Sequence, residues 1–221
     1  MTTLNSIKVR SVLKRLYDEA DKTDSALLPQ VRAEAKSLGG PFDDRKIAHL
    51  LDDAFIPVSP EVGRLLYMLV RTYRPTIAVE FGTSLGLSAI HIASALRDNG
   101  VGKLISTELN ATKALRAFDH IRQAGLSDLV EIRQGDAFET LSDVSEIGFV
   151  LLDGWKGLYF PMLQKLEPSI KPGSLIIADD LKIMPEMIQP YLDYVRAPEN
   201  GYTSVELPLD DGLELSLRGH C

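Results

Sequence analysis

The chain predicts an α/β fold: a doubly wound sheet of seven strands, five parallel and two in a C-terminal antiparallel hairpin, with helices ahead of it. Three observations predict it. From Thr76 onward, short apolar runs alternate with helical stretches of roughly 10–15 residues, the texture of βαβ units. Those runs are continuously apolar, as in strands covered on both faces. The ending differs: Leu213, Leu215 and Leu217 alternate with Glu214, Ser216 and Arg218 behind an Asp211-Gly212 turn signal, with no helix before them.

In chain order, Val12, Leu13, Leu16 and Ala20 fall at helical spacing. A second helix is expected over Ser25 to Leu38, with Pro29 in its first turn and Gly39-Gly40 ending it. A third starts at Ser59, a fitting N-cap, with Pro60 at the first helical position and Glu61 at the positive end. Val62, Leu65, Leu66, Leu69, Val70 and Tyr73 mark its apolar face. Strands are expected at Ile77–Phe81, Lys103–Glu108, Val130–Gln134, Gly148–Asp153 and Ser174–Asp179, then Tyr202–Leu209 and Leu213–Arg218. Helices Leu87–Arg97, Ala111–Ala124, Ala137–Leu141 and Tyr159–Leu166 lie between the first five. A length of 221 residues suits one domain, read as a helical cap over residues 1–58 and a ligand-binding core over residues 59–221.

Composition narrows the function. Lys and Arg number 24 against 31 Asp and Glu, so the net charge of −7 argues against broad nucleic-acid binding. No apolar run approaches the ~18–20 residues that span a bilayer. The one cysteine, Cys221, excludes an intramolecular disulfide and a thiolate metal cluster. The N-terminus carries Lys8, Arg10, Lys14 and Arg15 without an apolar stretch, which does not read as a secretory signal, so a cytoplasmic protein is expected.

One pattern goes beyond fold class. An acid stands at or just past the carboxyl end of each parallel strand: Glu80, Glu108, Asp136, Asp153 and Asp179, with Asp180 beside the last. In open α/β sheets the ligand crevice lies outside those ends. Any one of these could be an ordinary turn residue. Five in phase point to a polar ligand, a cation, or both, because buried unpaired carboxylates cost stability. The first turn reads Glu80-Phe81-Gly82-Thr83-Ser84-Leu85-Gly86-Leu87-Ser88. Its Gly-x-x-x-Gly spacing is not the Gly-x-Gly-x-x-Gly of dinucleotide binders. Glu80 would repel a pyrophosphate and suits a cationic amino group. Glu108, ending the second strand, can accept both hydroxyls of a ribose. Together they favour an adenosyl amino acid over NAD.

These residues resemble the Rossmann-like class I S-adenosylmethionine-dependent methyltransferases, and within them the cation-dependent O-methyltransferases of the catechol and caffeoyl-CoA type. The likeness covers Ile56 to Ser216. Its carriers are Ile56 to Gly63, the Glu80–Ser88 loop, Gly135-Asp136-Ala137, Leu152-Asp153-Gly154-Trp155-Lys156-Gly157-Leu158-Tyr159, and Ile177-Ala178-Asp179-Asp180. The resemblance implies S-adenosylmethionine as cofactor, held by Val58, Glu80, Gly82, Ser88, Glu108, Asp136, Ala137, Asp153 and Trp155. It implies one divalent cation on Asp153, Asp179 and Asp180, with Mg²⁺ the first expectation, since Mg²⁺ takes few protein oxygens and keeps positions open. It implies Lys156 as general base beside Asp153: a lysine partly withdrawn from water next to a cation gives up its proton more readily. The family usually has Asn where this chain has Asp180. A third carboxylate tightens cation binding and shifts metal choice toward Ca²⁺ or Mn²⁺, or else Asp180 is protonated or points elsewhere.

Blander readings stand beside these. Asp179-Asp180 could be a solvated loop start, Lys156 an exposed helix-start lysine, and Trp155 a core residue. His91 reads as packed or surface-exposed, His120 as solvated, and His49 as a candidate lining of the acceptor pocket. The expected reaction is methyl transfer to a vicinal-dihydroxy aromatic, by a homodimer on family analogy. The alternatives are a modified tRNA base as acceptor, an NAD-dependent oxidoreductase, and a non-catalytic cofactor-binding module.

Overall fold

The structure, a computed structural model, describes residues 1–37 and 49–219. Gly39-Gly40 and Cys221 lie outside the described residues. The seven strands are β1 Ile77–Phe81, β2 Lys103–Glu108, β3 Val130–Gln134, β4 Ile147–Leu152, β5 Ile170–Asp179, β6 Tyr202–Leu207 and β7 Leu213–Arg218. They form one sheet in the order β3-β2-β1-β4-β5-β7-β6, with β7 antiparallel to both neighbours and the first five parallel. This is the sheet the sequence predicts. Strand order reverses between β1 and β4, which places the crevice of a doubly wound sheet at their carboxyl ends.

The helices are α1 Ile7–Ser37, α2 Pro60–Tyr73, α3 Leu87–Asn99, α4 Ala111–Ala124, α5 Ala137–Thr140, α6 Tyr159–Leu166 and α7 Pro185–Arg196. Successive strand residues point to opposite faces. Ala78 therefore joins the apolar layer under α1–α4, and Val79 the layer under α6 and α7. Ser59 caps α2 as expected, its hydroxyl accepting from Val62 N at 3.3 Å. Asn110 caps α4, its side-chain oxygen accepting from Thr112 N and Lys113 N. Among the described residues no helix is long and apolar enough to cross a membrane.

Several expectations are corrected. The two N-terminal helices are one, running from Ile7 through Pro29 to Ser37. A proline inside a helix forfeits one ladder bond and costs ~3 kcal/mol. Here Pro29 faces water, while buried Asp24, one turn before it, ties the helix to Phe55 and Ile56. Ser25 caps nothing; its hydroxyl bends back to Lys22 O within the running helix. Strand β5 begins at Ile170, earlier than Ser174, and β6 stops at Leu207, earlier than Leu209. His120 is buried, with Nδ1 2.9 Å from Leu85 O. The charges around it, Asp119 and Arg122, are exposed, whereas His120 shares its face with Ala117, Ile121 and Ala124.

Candidate active site

Parallel register assembles the rim. Leu152 pairs with Ala178, so the next residues, Asp153 and Asp179, leave the sheet side by side. Phe81 pairs with Leu152 and Thr107, which brings the loop after β1 against both neighbours. Gly82 N and Thr83 N both donate to Thr107 O, and Asp153 N donates to Phe81 O at 2.9 Å. Gly82 has φ +100°, and a Cβ there would overlap the Asp153 carbonyl. A side chain at this point would separate the two loops.

Glu80 is fully buried. Its register partner Ser106 donates to Oε2, while Oε1 is buried without a hydrogen-bond partner in the structure. Burial pushes the carboxyl up to about 7, against the pull of the Ser106 and Ser88 hydroxyls, and Glu108 nearby adds to the rise. An orphaned buried carboxylate oxygen is costly. It is the observation that fits a cationic amino group at this turn. Ser88 is buried in the first turn of α3. Glu108 is held rigidly: Oε2 accepts from Ser84 N and Oε1 from Asn110 N, each at 2.8 Å. Burial raises its pKa too. A carboxylate fixed in this way keeps a lone pair free on each oxygen, as a ribose diol needs.

Val58 is buried in the segment before α2 and lines a cavity with Ser84, Ser88 and Asp153. Asp136 is exposed and caps α5, accepting from Phe138 N at 2.8 Å, with Ala137 buried behind it. Trp155 is half-buried and precedes the short turn Lys156–Leu158. His49 is exposed in the turn His49–Leu51, and His91 is buried, packed on Gly63 with Nε2 3.3 Å from the Tyr17 hydroxyl.

On the other side of Asp153 lies the cluster of Asp153, Lys156, Asp179 and Asp180. Lys156 is buried and turned inward. Its Nζ donates to the Tyr159 hydroxyl at 2.7 Å, pairs with Asp180 Oδ2 at 2.9 Å and lies 3.9 Å from Asp153 Oδ1. Tyr159 in turn donates to Asp179 O at 3.2 Å. Asp179 Oδ1 accepts from Asp180 N at 2.9 Å, around a left-handed Asp180 with φ +63°. Burial, then the Asp180 charge, pushes the Asp179 carboxyl up to about 7. Burial and Asp179 raise Asp153 well above the carboxylate range, against the opposing pull of Lys156.

The three aspartates are therefore close enough to repel one another, and their oxygens are the hard donors a divalent cation takes. Among the described residues, however, no three His, Cys, Asp or Glu side chains stand together as a group able to hold a metal. Asp180 is turned to Lys156, whose ammonium is the positive charge of the cluster. Tyr159 is a functional neighbour that the sequence reading misses. Its position one helical turn past Lys156 was the available signal.

Residues 79–181 match the family model described as a methyltransferase domain. Among relatives, a probable O-methyltransferase of Mycobacterium tuberculosis is 36% identical over 140 residues, covering 58% of this chain and 59% of the relative. A catechol O-methyltransferase of Niastella koreensis is 34% identical over 131 residues, covering 57% of this chain and 58% of the relative. The chain thus spans less than two thirds of the length of either. An O-methyltransferase from Bacillus cereus, solved in complex with SAH, superposes with a TM-score of 0.67 over 93% of this chain and 99% of that one. At 19% identity that likeness is one of fold. The resemblance carried by the sequence motifs is matched by this methyltransferase domain and by relatives named O-methyltransferases.

Proposed function

We propose that the protein is an S-adenosylmethionine-dependent O-methyltransferase that requires a divalent cation and methylates a vicinal-dihydroxy aromatic small molecule. The observation that carries the reading is the buried, inward-facing Lys156 between Asp153 and Asp180, with Asp153 N bonded to Phe81 O, the residue after Glu80. S-adenosylmethionine, when bound, supplies an electrophilic methyl group on sulfur. Glu80 would meet its ammonium through the oxygen left unpaired among the described residues, Glu108 would take its ribose, and Trp155 would pack on its adenine. A divalent cation held by Asp153, Asp179 and Asp180 would make an aromatic hydroxyl more acidic.

Lys156 takes the hydroxyl proton of the acceptor. Tyr159 and Asp180 fix the position of Nζ, so the amine meets the acceptor in one place. The methyl would pass from the sulfonium sulfur to the acceptor oxygen as the S–C bond breaks and the thioether is released, and the chain would contribute alignment and control of charge. The reading also places the protein in the cytoplasm, as a homodimer. The orphaned Glu80 oxygen favours an amino-acid cation over the pyrophosphate of NAD at this turn. The deciding experiment is transfer of labelled methyl to a panel of vicinal diphenols with Mg²⁺, Mn²⁺, Ca²⁺ or chelator. Cation-dependent labelling of a diphenol is expected; no labelling of any diphenol under any of these conditions overturns the proposal.

A further inference from the structure

The N-terminal helix reaches the cofactor loop through a single buried carboxylate. Asp24 lies on α1 and is 9% exposed. Its two oxygens accept from successive backbone amides, Oδ1 from Phe55 N and Oδ2 from Ile56 N, each at 2.8 Å. At the second of them the chain turns through a left-handed Ile56, φ +43°. For a β-branched residue that conformation costs ~1–3 kcal/mol and persists only where its surroundings impose it. The other end of the Phe55 peptide is also pinned: Ser84 Oγ donates to Phe55 O at 2.7 Å. Ser84 N in turn donates to Glu108. The Arg116 guanidinium lies 5.4 Å over the Phe55 ring. An unbroken series of hydrogen bonds therefore runs from Asp24 through the Phe55–Ile56 strap and Ser84 to the acid at the end of β2.

The strap residues Phe55 to Val58 form one wall of the cavity whose other wall is Thr83 to Ser88. As it stands that cavity has about 10 Å³, room for one water. Sites for ligands of cofactor size run to ~300–1,000 Å³. The strap is therefore one wall of whatever this end of the crevice takes, and Asp24 is the group that fixes where that wall stands.

We infer that Asp24 is a positioning residue for the cofactor, a latch that sets the Phe55–Val58 strap over the amino-acid end of a bound adenosyl amino acid. The inference rests on the cofactor reading above. Two charge-assisted hydrogen bonds hold the latch, so its loss is read in ligand retention and leaves the methyl-transfer chemistry alone.

The test uses the full chain and S-adenosylhomocysteine as probe, with affinity from calorimetry and dissociation followed by the fluorescence of the single tryptophan, Trp155. Asp24→Ala is expected to raise Kd about tenfold or more, mostly through faster dissociation, while kcat at saturating cofactor stays within about twofold. Asp24→Asn, which keeps one acceptor oxygen, should fall between. Protease digestion should show probe-dependent protection of residues 49–58 in the natural chain and none in Asp24→Ala. If Asp24→Ala is too unstable to purify, Ser84→Ala removes the opposite pin and is expected to speed dissociation in the same direction. Equal Kd and equal dissociation in Asp24→Ala, or in Ser84→Ala where that variant stands in, overturn the inference. Failure of the natural chain to bind the probe at all overturns the cofactor reading itself.

Discussion

Replacing Glu80 by glutamine separates what this carboxylate costs the fold from what it does for a ligand. A free glutamate ionises near 4.5; burial holds the folded Glu80 proton to about 7. Below pH 4.5 both states carry the proton and Glu80 has no pH-dependent effect. Between 4.5 and 7 the unfolded chain sheds it first, so stability falls as pH rises. Above 7 that loss is complete, about 3 kcal/mol at ~1.4 kcal/mol per pH unit. Glutamine has nothing to ionise and can still accept from Ser106. In urea unfolding without ligand, the natural chain and Glu80→Gln should have similar stability near pH 4.5. The variant should then gain by ~2–3 kcal/mol by pH 8. Other buried acids titrate in the same range, and taking the difference between the two proteins removes their contribution. The variant should bind S-adenosylhomocysteine about tenfold or more weakly, having lost a charge-assisted partner worth ~1.5–3 kcal/mol. Parallel stability curves from pH 4.5 to 8 would refute the assignment of a strained buried carboxyl at this turn.

Lys156→Ala should lower kcat by ~10²–10⁴ with a diphenol, the usual range for a positioned base. Its affinity for S-adenosylhomocysteine should change by less than about threefold, and unchanged kcat would remove Lys156 from the reaction. Exhaustive chelation should abolish turnover and added Mg²⁺ restore it; full turnover in chelator would place the protein among cation-independent methyltransferases. Gly82→Ala should cost at least ~2 kcal/mol in urea unfolding, because φ is +100° and the new Cβ meets the backbone of Asp153 and Gly154. Gly100→Ala, at φ +66° with nothing within 4 Å, should cost only ~1 kcal/mol and serves as its control.

The sheet was legible because burial on both faces leaves an unmistakable residue pattern. The strand-end acids were legible for a related reason: parallel register turns a one-dimensional phase into a common rim, as Leu152 opposite Ala178 does for Asp153 and Asp179. Helix α1 was misread at Pro29 because a proline in a first turn is a local start signal, whereas the structure runs one helix through it with Asp24 anchored to Phe55 and Ile56. His120 was misread from the charges beside it in sequence, which occupy the opposite face of its helix. Asp24 gave no local sign at all. Its partners lie 31 and 32 positions along the chain and are backbone amides, which carry no residue identity to recognise. Tyr159 lay between these cases: its spacing from Lys156 was visible, but the bond to Asp179 O depends on how α6 packs under β5.

The acid at position 180, where the resembling family usually has Asn, changes meaning once Lys156 is placed. Read from sequence, three aspartates set a charge of −3 against a divalent cation. In the fold, Asp180 gives Lys156 a partner at 2.9 Å, where Asp153 alone offers 3.9 Å. Asp179 keeps its proton to about 7. The cluster is therefore nearer to neutrality than a count of carboxylates implies, and the added acid bears first on the lysine. Burying an ammonium without a close partner is expensive. Asp180 is what lets Lys156 lie buried, facing the rim, and the same side chain belongs to the donor set proposed for the cation. If the proposed cation and base both hold, they share one carboxylate, so Asp180→Asn should weaken cation binding and disturb the seat of Lys156 together.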